Sequence, residues 1–196
     1  MINVALFGFG RIGQMHGSNL FKHPMFNLKY VYDRDEKLAK KSESMLKAKS
    51  IKNYKIALKD KSIGVIFIAS STPTHINFIR ESALYKKTIF CEKPLDLDLN
   101  KIVKCKKYIK KFSPRIQLGF NRRYDPGHYY LKKSIDQKKI GTLQKIIITC
   151  RDPAPPPLAY LKTAGGIFKD MIIHDFDLIR FYLKNDPIKE VFATTS

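Results

Sequence analysis

The chain has 196 residues, of which 44% are hydrophobic and 28% charged, and its formal net charge is +20. This length is enough for one well-packed core and part of a second domain. No apolar run approaches the roughly 18 to 20 residues that a membrane span needs. Met1 leads directly into an apolar stretch, without the basic segment that begins a secretory signal. We therefore expect a cytoplasmic protein that does not associate with membranes.

The positive charge raises the question of a nucleic-acid partner, because clustered cations gain affinity through counterion release. The excess is mostly lysine and is spread over several predicted helix faces, with one denser run over 101–111. No helix-turn-helix, zinc-finger or RNA-binding signature accompanies these lysines. We interpret them as solvated faces and expect no nucleic-acid partner. A positive field also favours anionic ligands such as a dinucleotide.

The three cysteines, Cys91, Cys105 and Cys150, are an odd number without metal-type spacing, and each lies in an apolar stretch. Buried free thiols in a reducing compartment are the expected state. We expect no metal site.

The first half of the chain alternates strand and helix patterns, which indicates a parallel sheet with helices on both faces. The predicted strands are 2–7, 28–32, 63–69, 88–92 and 116–120. The predicted helices lie between the first two strands and over 35–49, 75–85 and 99–112. We expect a doubly wound, Rossmann-type α/β domain over residues 1–121.

The pattern changes after Asn121. The predicted elements of this part are, in order, a helix over 126–139, a strand at 146–150, an irregular proline-rich loop over 152–161, a helix that follows Gly165 and Gly166 and runs to about 183, and a strand over about 188–193. We expect 122–196 to be the beginning of a second, α+β domain that is incomplete.

A glycine-rich motif, G-F-G-R-I-G, directly follows the first predicted strand. Its first glycine permits a tight turn, its second lets backbone approach a pyrophosphate, and its third lets helix and strand pack closely. The phosphates would then lie at the helix N-terminus, where N–H groups and the helix dipole favour negative charge. A purely structural glycine turn is the alternative. The motif residues predicted to bind the cofactor are Gly8, Gly10, Arg11, Ile12 and Gly13.

Asp33 ends the second predicted strand, twenty residues after the third glycine. There it is placed to accept hydrogen bonds from the hydroxyls of an adenosine ribose. Since a carboxylate repels a 2′-phosphate, we expect NAD rather than NADP. Arg34 beside it could bind such a phosphate and keeps NADP open.

Three later segments carry polar side chains of chemical interest. Ser70–His75 follows a buried strand and either lines the ligand crevice or is a turn with a helix N-cap. Lys93 ends a strand at the same edge and either hydrogen-bonds a substrate hydroxyl or is a surface lysine. Asp170 and His174 are four residues apart, on one face of the predicted late helix. A carboxylate there can orient an imidazole that acts as a general base, although a helix-surface pair is the alternative.

Together these segments resemble the Gfo/Idh/MocA oxidoreductase family and, within it, the inositol 2-dehydrogenase branch. The matching motifs are, in chain order, G-F-G-R-I-G with His16, S-T-P-T-H, F-C-E-K-P, G-F-N-R-R-Y-D-P, C-R-D-P followed by prolines, and G-G-I-F-K-D-M-I-I-H-D-F-D. The resemblance covers essentially the whole chain.

The resemblance implies NAD-dependent oxidation of a secondary hydroxyl on a cyclic polyol or sugar, with myo-inositol as the leading substrate. It makes Lys93 and His174 catalytic, with Asp170 supporting His174. The other residues that it assigns to the cofactor are Asp33, Ser71, Thr72, Glu92 and Asn121. Arg34 is predicted to bind the cofactor because it lies beside Asp33. The residues that it assigns to the substrate are Lys93, Asp152, Asp170 and His174.

Members of the family normally continue through an open sheet that supports homo-oligomers, and only its first part is expected here. We therefore do not predict that this chain forms a homo-oligomer. The alternative function is an inactive, truncated cofactor-binding module or one half of a split enzyme.

Overall fold

The computed structural model of the chain describes residues 1–151, 154–158, 161, 164–184 and 186–194. The chain divides into two compact units, Met1–Gly119 and Phe120–Ser196.

The first unit is a parallel sheet flanked by helices. Its strands are β1 (Ile2–Phe7), β2 (Phe26–Tyr32), β3 (Lys49–Ser50), β4 (Ile63–Ile68), β5 (Thr88–Cys91) and β6 (Ile116–Leu118). Its helices are α1 (Arg11–Lys22), α2 (Glu36–Leu46), α3 (Lys55–Lys59), α4 (Thr72–Leu84) and α5 (Leu99–Lys110). The strand order is β3-β2-β1-β4-β5-β6, and every pair is parallel. This is the doubly wound Rossmann arrangement, so the predicted fold class is confirmed.

Strand β1 shows why four successive residues, Val4 to Phe7, are all apolar. Ala5 and Phe7 belong to one hydrophobic cluster, whereas Val4 and Leu6 belong to a second one. Successive side chains of a strand point to opposite faces, so the two clusters lie on opposite faces of the sheet. Both faces are covered by helices, and all four side chains are fully buried. Alternation with polar residues is therefore absent, as is usual for a central parallel strand.

The order of connection reverses between the neighbouring strands β1 and β4. In open α/β sheets a ligand crevice forms at such a reversal, outside the carboxyl ends of the strands. The glycine motif follows β1, Asp33 follows β2, Ser70 follows β4 and Lys93 follows β5. The fold thus brings these segments to one edge of the sheet.

The prediction for the segment after β2 was wrong in part. Helix α2 ends at Leu46 instead of continuing to 49, because Lys47 adopts the left-handed conformation with φ 53° and caps the helix. The short strand β3 and helix α3 follow, and neither was predicted.

The second unit consists, in its described part, of helices and irregular backbone. A 3₁₀ turn (Asn121–Tyr124) is followed by α6 (Pro126–Asp136), α7 (Gly166–Asp170) and α8 (Ile173–Leu183). Asp125 caps α6 by accepting hydrogen bonds from the backbone N–H groups of Gly127 and His128. Tyr182 on α8 is buried, and its hydroxyl lies 2.7 Å from Nδ1 of His128.

The strands predicted at 146–150 and 188–193 are not formed. The described residues of this unit contain no strand, so either segment would lack a partner for its backbone N–H and C=O groups. Cys150 is consequently exposed, and the prediction that it is buried was wrong. Cys91 and Cys105 are buried, and all three thiols are free.

Across the part of the chain that the structure describes, no helix is long and apolar enough to cross a membrane.

Candidate nucleotide site and catalytic segments

The turn between β1 and α1 requires glycine at two positions. Gly8 has a φ of +96°, and a Cβ there would lie 2.5 Å from backbone atoms of Ser70. A Cβ on Gly13 would lie 2.1 Å from the carbonyl oxygen of Gly8. A side chain at Gly8 would therefore push the loop away from the end of β4, and one at Gly13 would push α1 away from the loop.

Gly10 differs, because no atom lies within 4 Å of the place where its Cβ would stand. It is the N-cap residue of α1, so it borders the N–H groups of the first helical turn. The open space beside it is what a pyrophosphate needs in order to approach those N–H groups. Arg11 and Ile12 form the same turn, and Arg11 is exposed.

The Asp33 carboxylate is held by two backbone N–H groups. The amide of Phe9, in the glycine loop, donates to Oδ2 at 2.6 Å, and the amide of Asp35 donates to Oδ1 at 2.9 Å. Each carboxylate oxygen keeps further lone pairs, so the group can still accept hydrogen bonds from a ribose diol. The side chain is thus fixed in orientation without losing its capacity to bind.

An open cavity of about 280 Å³ lies beside these groups. Its lining residues are Gly8, Gly10, Tyr32, Asp33, Arg34, Ala69, Ser70, Ser71, Thr74 and Phe78. Five of the residues predicted to bind the cofactor are among them: Gly8, Gly10, Asp33, Arg34 and Ser71.

The sequence interpretation did not single out Tyr32 and Phe78 in the lining. Their rings meet edge to face, with centroids 6.0 Å apart. The position of Tyr32 directly before Asp33 was the available signal, whereas Phe78 carried none. Ser70 and Thr74 lay in a segment that the sequence did single out, and their hydroxyls are 2.6 Å apart.

Thr72 lies elsewhere. It lines a second cavity of about 240 Å³. The other residues of that cavity are Pro73, Asp96, Leu97, Asp98 and Lys101. The prediction that Thr72 binds the cofactor stays a prediction.

At the end of β5, Lys93 is half-buried and its backbone N–H donates to Oε2 of Glu92 at 3.2 Å. The other carboxylate oxygen of Glu92 lies 2.6 Å from Nε2 of His16 on α1. The protein itself therefore engages both oxygens of Glu92, and its assignment to the cofactor stays a prediction.

The second unit contains the remaining predicted residues. Asn121 is exposed at the start of the 3₁₀ turn. Asp152 lies outside the described residues. The ring of Phe120 meets the ring of His174 edge-on, with centroids 6.4 Å apart.

Asp170 and His174 do not share one continuous helix, as the sequence had predicted. Asp170 is the last residue of α7, and His174 is the second residue of α8. Between them the N–H of Ile172 donates to the carbonyl of Ile167, five residues back, which widens the turn and interrupts the α-helical pattern. The two residues therefore cannot be paired by their spacing on one helix face. The catalytic role of Asp170 and His174 stays a prediction.

Two ion pairs join the 3₁₀ turn to α8, and the sequence interpretation missed both. Arg122 pairs with Asp175, and Arg123 binds Asp177 through two hydrogen bonds of 2.7 and 2.6 Å. Asp175 is 6% exposed. The two carboxylates flank Phe176, two positions beyond His174, so the pairs fix the helix that carries this histidine. Two adjacent arginines facing an Asp-x-Asp pair were the available signal.

The family model of an oxidoreductase family with an NAD-binding Rossmann fold, Gfo/Idh/MocA, matches residues 2–120. The chain belongs to the Gfo/Idh/MocA oxidoreductase family. The C-terminal domain model of the same family matches residues 128–196. The resemblance inferred from the motifs is therefore confirmed.

Three relatives place the chain within the Gfo/Idh/MocA family. A myo-inositol 2-dehydrogenase from Thermotoga maritima is 37% identical over 196 residues, covering 100% of this chain and 58% of that protein. The crystal structure of a myo-inositol dehydrogenase from Corynebacterium glutamicum has a TM-score of 0.89 at 35% identity, covering 94% of this chain and 56% of that one. The crystal structure of a scyllo-inositol dehydrogenase from Lactobacillus casei with bound NAD(H) and scyllo-inositol has a TM-score of 0.81 at 29% identity, covering 93% and 56%. The chain thus spans somewhat more than half the length of these relatives.

Within the described ranges, no three His, Cys, Asp or Glu side chains come together in a group that could hold a metal ion.

Proposed function

We propose that the chain binds NAD in the cavity of about 280 Å³ beside the glycine loop. The observation that carries this proposal is the combination of open space at Gly10 with a carboxylate fixed by the amide of Phe9. The open space admits a pyrophosphate to the N-terminus of α1, and the carboxylate of Asp33 would face the ribose that carries the 2′-phosphate in NADP. These residues therefore fit NAD, and Asp33 selects against NADP.

We further propose that the chain oxidises a secondary hydroxyl of a cyclic polyol, with myo-inositol as the leading substrate. Family membership supports the reaction class, and the inositol dehydrogenases among the relatives support the substrate class.

In the proposed reaction His174 removes the proton of the reacting hydroxyl. An imidazole suits this step because its ordinary pKa lies close to neutrality. Lys93 donates a hydrogen bond to the same oxygen and stabilises the negative charge that develops there. Asp170 would orient the imidazole. NAD, when bound, supplies the acceptor for the hydride that leaves the carbon.

The test is NADH formation by the chain with NAD and a panel of inositols and sugars. We expect turnover with myo-inositol, and a loss of about 10²- to 10⁴-fold on His174→Ala. Lys93→Ala should also cripple turnover, and the double variant should lose less than the sum of the two effects, because both groups act on one oxygen. Binding of NAD without any NADH formation would favour the alternative, a cofactor-binding module without turnover.

We also propose that the protein works in the reducing cytoplasm, where free thiols such as Cys91 and Cys105 persist. Cell fractionation with an antibody to the protein checks this, and recovery outside the cytoplasmic fraction would contradict it.

A further inference from the structure

Lys93 lies between two residues that are each held by a histidine, and the two histidines come from different helices. On one side, Nε2 of His16 lies 2.6 Å from Oε1 of Glu92. On the other side, Nδ1 of His75 lies 2.8 Å from the carbonyl oxygen of Pro94. All five residues belong to the first unit.

His75 reaches two backbone segments at once. It is 1% exposed, and its second ring nitrogen, Nε2, lies 2.9 Å from the carbonyl oxygen of Ser70. A carbonyl oxygen only accepts, so a proton on Nδ1 is donated to Pro94 and a proton on Nε2 is donated to Ser70. His75 on α4 therefore ties the segment that follows Lys93 to the end of β4.

The Glu92 carboxylate connects His16 to the backbone of Lys93. Its second oxygen, Oε2, accepts the backbone N–H of Lys93 at 3.2 Å. Gly119 leaves room for this carboxylate, because an added Cβ there would lie 2.9 Å from Oε2. The position of the carboxylate thus sets the position of the Lys93 backbone.

His16 is itself held in place by two aromatic rings. The rings of Phe67 and Phe90 lie 5.4 and 5.3 Å from the imidazole, measured between centroids, and stack on each other at 4.2 Å. Both phenylalanines lie on neighbouring sheet strands, so the imidazole packs against the rigid part of the unit.

We propose that His16 and His75 are positioning residues for Lys93. The proposal rests on the proposed function, in which Lys93 contacts the reacting hydroxyl. A lysine side chain is long and flexible, so a fixed backbone on both sides limits how far its ammonium group can stray from the productive geometry. In this proposal neither histidine contacts the substrate.

Replacing each histidine by asparagine and by glutamine distinguishes this positioning role from a general structural one. The amide nitrogen of asparagine reaches the place of Nδ1 in histidine, and that of glutamine reaches the place of Nε2. His75→Asn therefore keeps the donor to Pro94, whereas His75→Gln keeps only the donor to Ser70. At position 16 the order is reversed, because His16→Gln keeps the donor to Glu92 and His16→Asn does not.

The first readout is kcat for polyol oxidation, with the NAD dissociation constant and the thermal midpoint measured beside it. We expect His75→Gln and His16→Asn to lower kcat by about 10²-fold, the effect of a small misplacement of a catalytic group. His75→Asn and His16→Gln should stay within about tenfold of the wild type, and NAD affinity should change little in all four. If the two variants at each position lose kcat equally, or in proportion to their stability, the proposal is overturned.

The second readout needs no substrate. The hydrogen-exchange rate of the Lys93 amide should rise by about tenfold or more in His16→Asn and stay near the wild-type rate in His16→Gln. If the wild-type chain oxidises no polyol, the proposed function fails, and this comparison still decides whether His16 orders Lys93. Equal exchange rates in the two variants would overturn the proposal even in an active enzyme.

Discussion

The backbone amide of Phe9 donates a hydrogen bond of 2.6 Å to Oδ2 of Asp33. This bond joins the glycine loop after β1 to the end of β2, so one carboxylate both supports the loop and faces the cavity. Cofactor selectivity and loop stability therefore depend on the same side chain, and variants can separate the two.

Replacement of Asp33 should shift selectivity toward NADP. Both Asp33→Asn and Asp33→Ala remove the charge that repels a 2′-phosphate, so we expect the NADP-to-NAD affinity ratio to rise by about tenfold or more, which is about 1.4 kcal/mol. The alanine variant alone leaves the Phe9 amide without its acceptor, and its thermal midpoint should fall below that of the asparagine variant. Isothermal titration calorimetry with both cofactors and thermal unfolding give the two values.

Asp35→Asn is the matched control, because it removes one charge nearby while keeping the side-chain oxygen that accepts the amide of Lys37. Its cofactor preference should equal that of the wild type. If wild-type chain binds NADP at least as tightly as NAD, Arg34 dominates the ribose site and the selectivity argument is wrong.

The glycine loop should tolerate a methyl group at Gly10 but not at Gly13. Gly10→Ala meets no atom within 4 Å, so we expect a stability loss below about 1 kcal/mol but an NAD affinity lower by about tenfold or more. Gly13→Ala places a Cβ 2.1 Å from a backbone oxygen, so it should cost at least about 1–3 kcal/mol of folding free energy. Chemical denaturation and calorimetry separate the two effects. Unchanged NAD affinity in Gly10→Ala would show that the phosphates lie elsewhere.

The ion pair between Arg123 and Asp177 should stabilise the second unit through its paired hydrogen bonds. Arg123→Lys keeps the charge but loses the two-pronged contact. The Arg123 side chain is 38% exposed, so solvent partly screens the pair and we expect a loss of about 1 kcal/mol. Arg180→Lys, at an exposed position of α8, is the control and should leave the denaturation midpoint unchanged. Equal midpoints for the two variants would contradict this assignment.

The sequence was most informative where one pattern left few structural solutions. The apolar runs of β1 and β4, the glycine motif and the acid after β2 together predicted the parallel sheet and the location of the nucleotide cavity. In the second unit the apolar runs at 146–150 and 188–193 looked like strands, but a strand depends on a partner that its own residues cannot supply.

The missed residues share a physical cause. Phe78, Arg123 and Asp177 gain their roles only through partners that are distant in the sequence. The turn at Met171 and Ile172 was missed because neither residue is a helix breaker. The break is seen in the hydrogen bonds, such as the one from Ile172 to Ile167, which depart from the α-helical pattern.

The stability of the first unit should decrease in acid through Asp60. The hydrogen bond from Lys29 at 2.7 Å, followed by those from Ser62, holds the pKa of Asp60 well below its usual value of 3.8. A carboxyl with a lowered folded-state pKa contributes stability above its unfolded pKa, and this contribution is lost as the pH falls toward the folded value. We expect the free energy of unfolding to fall below about pH 4.

Urea unfolding at a series of acidic pH values, for the wild type and for Asp60→Asn, measures this contribution. The variant should be less stable at neutral pH and should lose less stability between neutral pH and strong acid. Parallel curves for the two proteins would contradict the assignment.

In the proposed reaction the chain transfers a hydride from a polyol carbon to NAD while His174 takes the hydroxyl proton. The most direct measurement uses myo-inositol deuterated at the carbon that bears the reacting hydroxyl, with the reduced cofactor analysed by mass spectrometry. We predict one deuterium on the nicotinamide ring, a slower rate than with unlabelled substrate if hydride transfer limits turnover, and almost no product with His174→Ala. Reduced cofactor without deuterium, or near-normal turnover in the His174 variant, would contradict it.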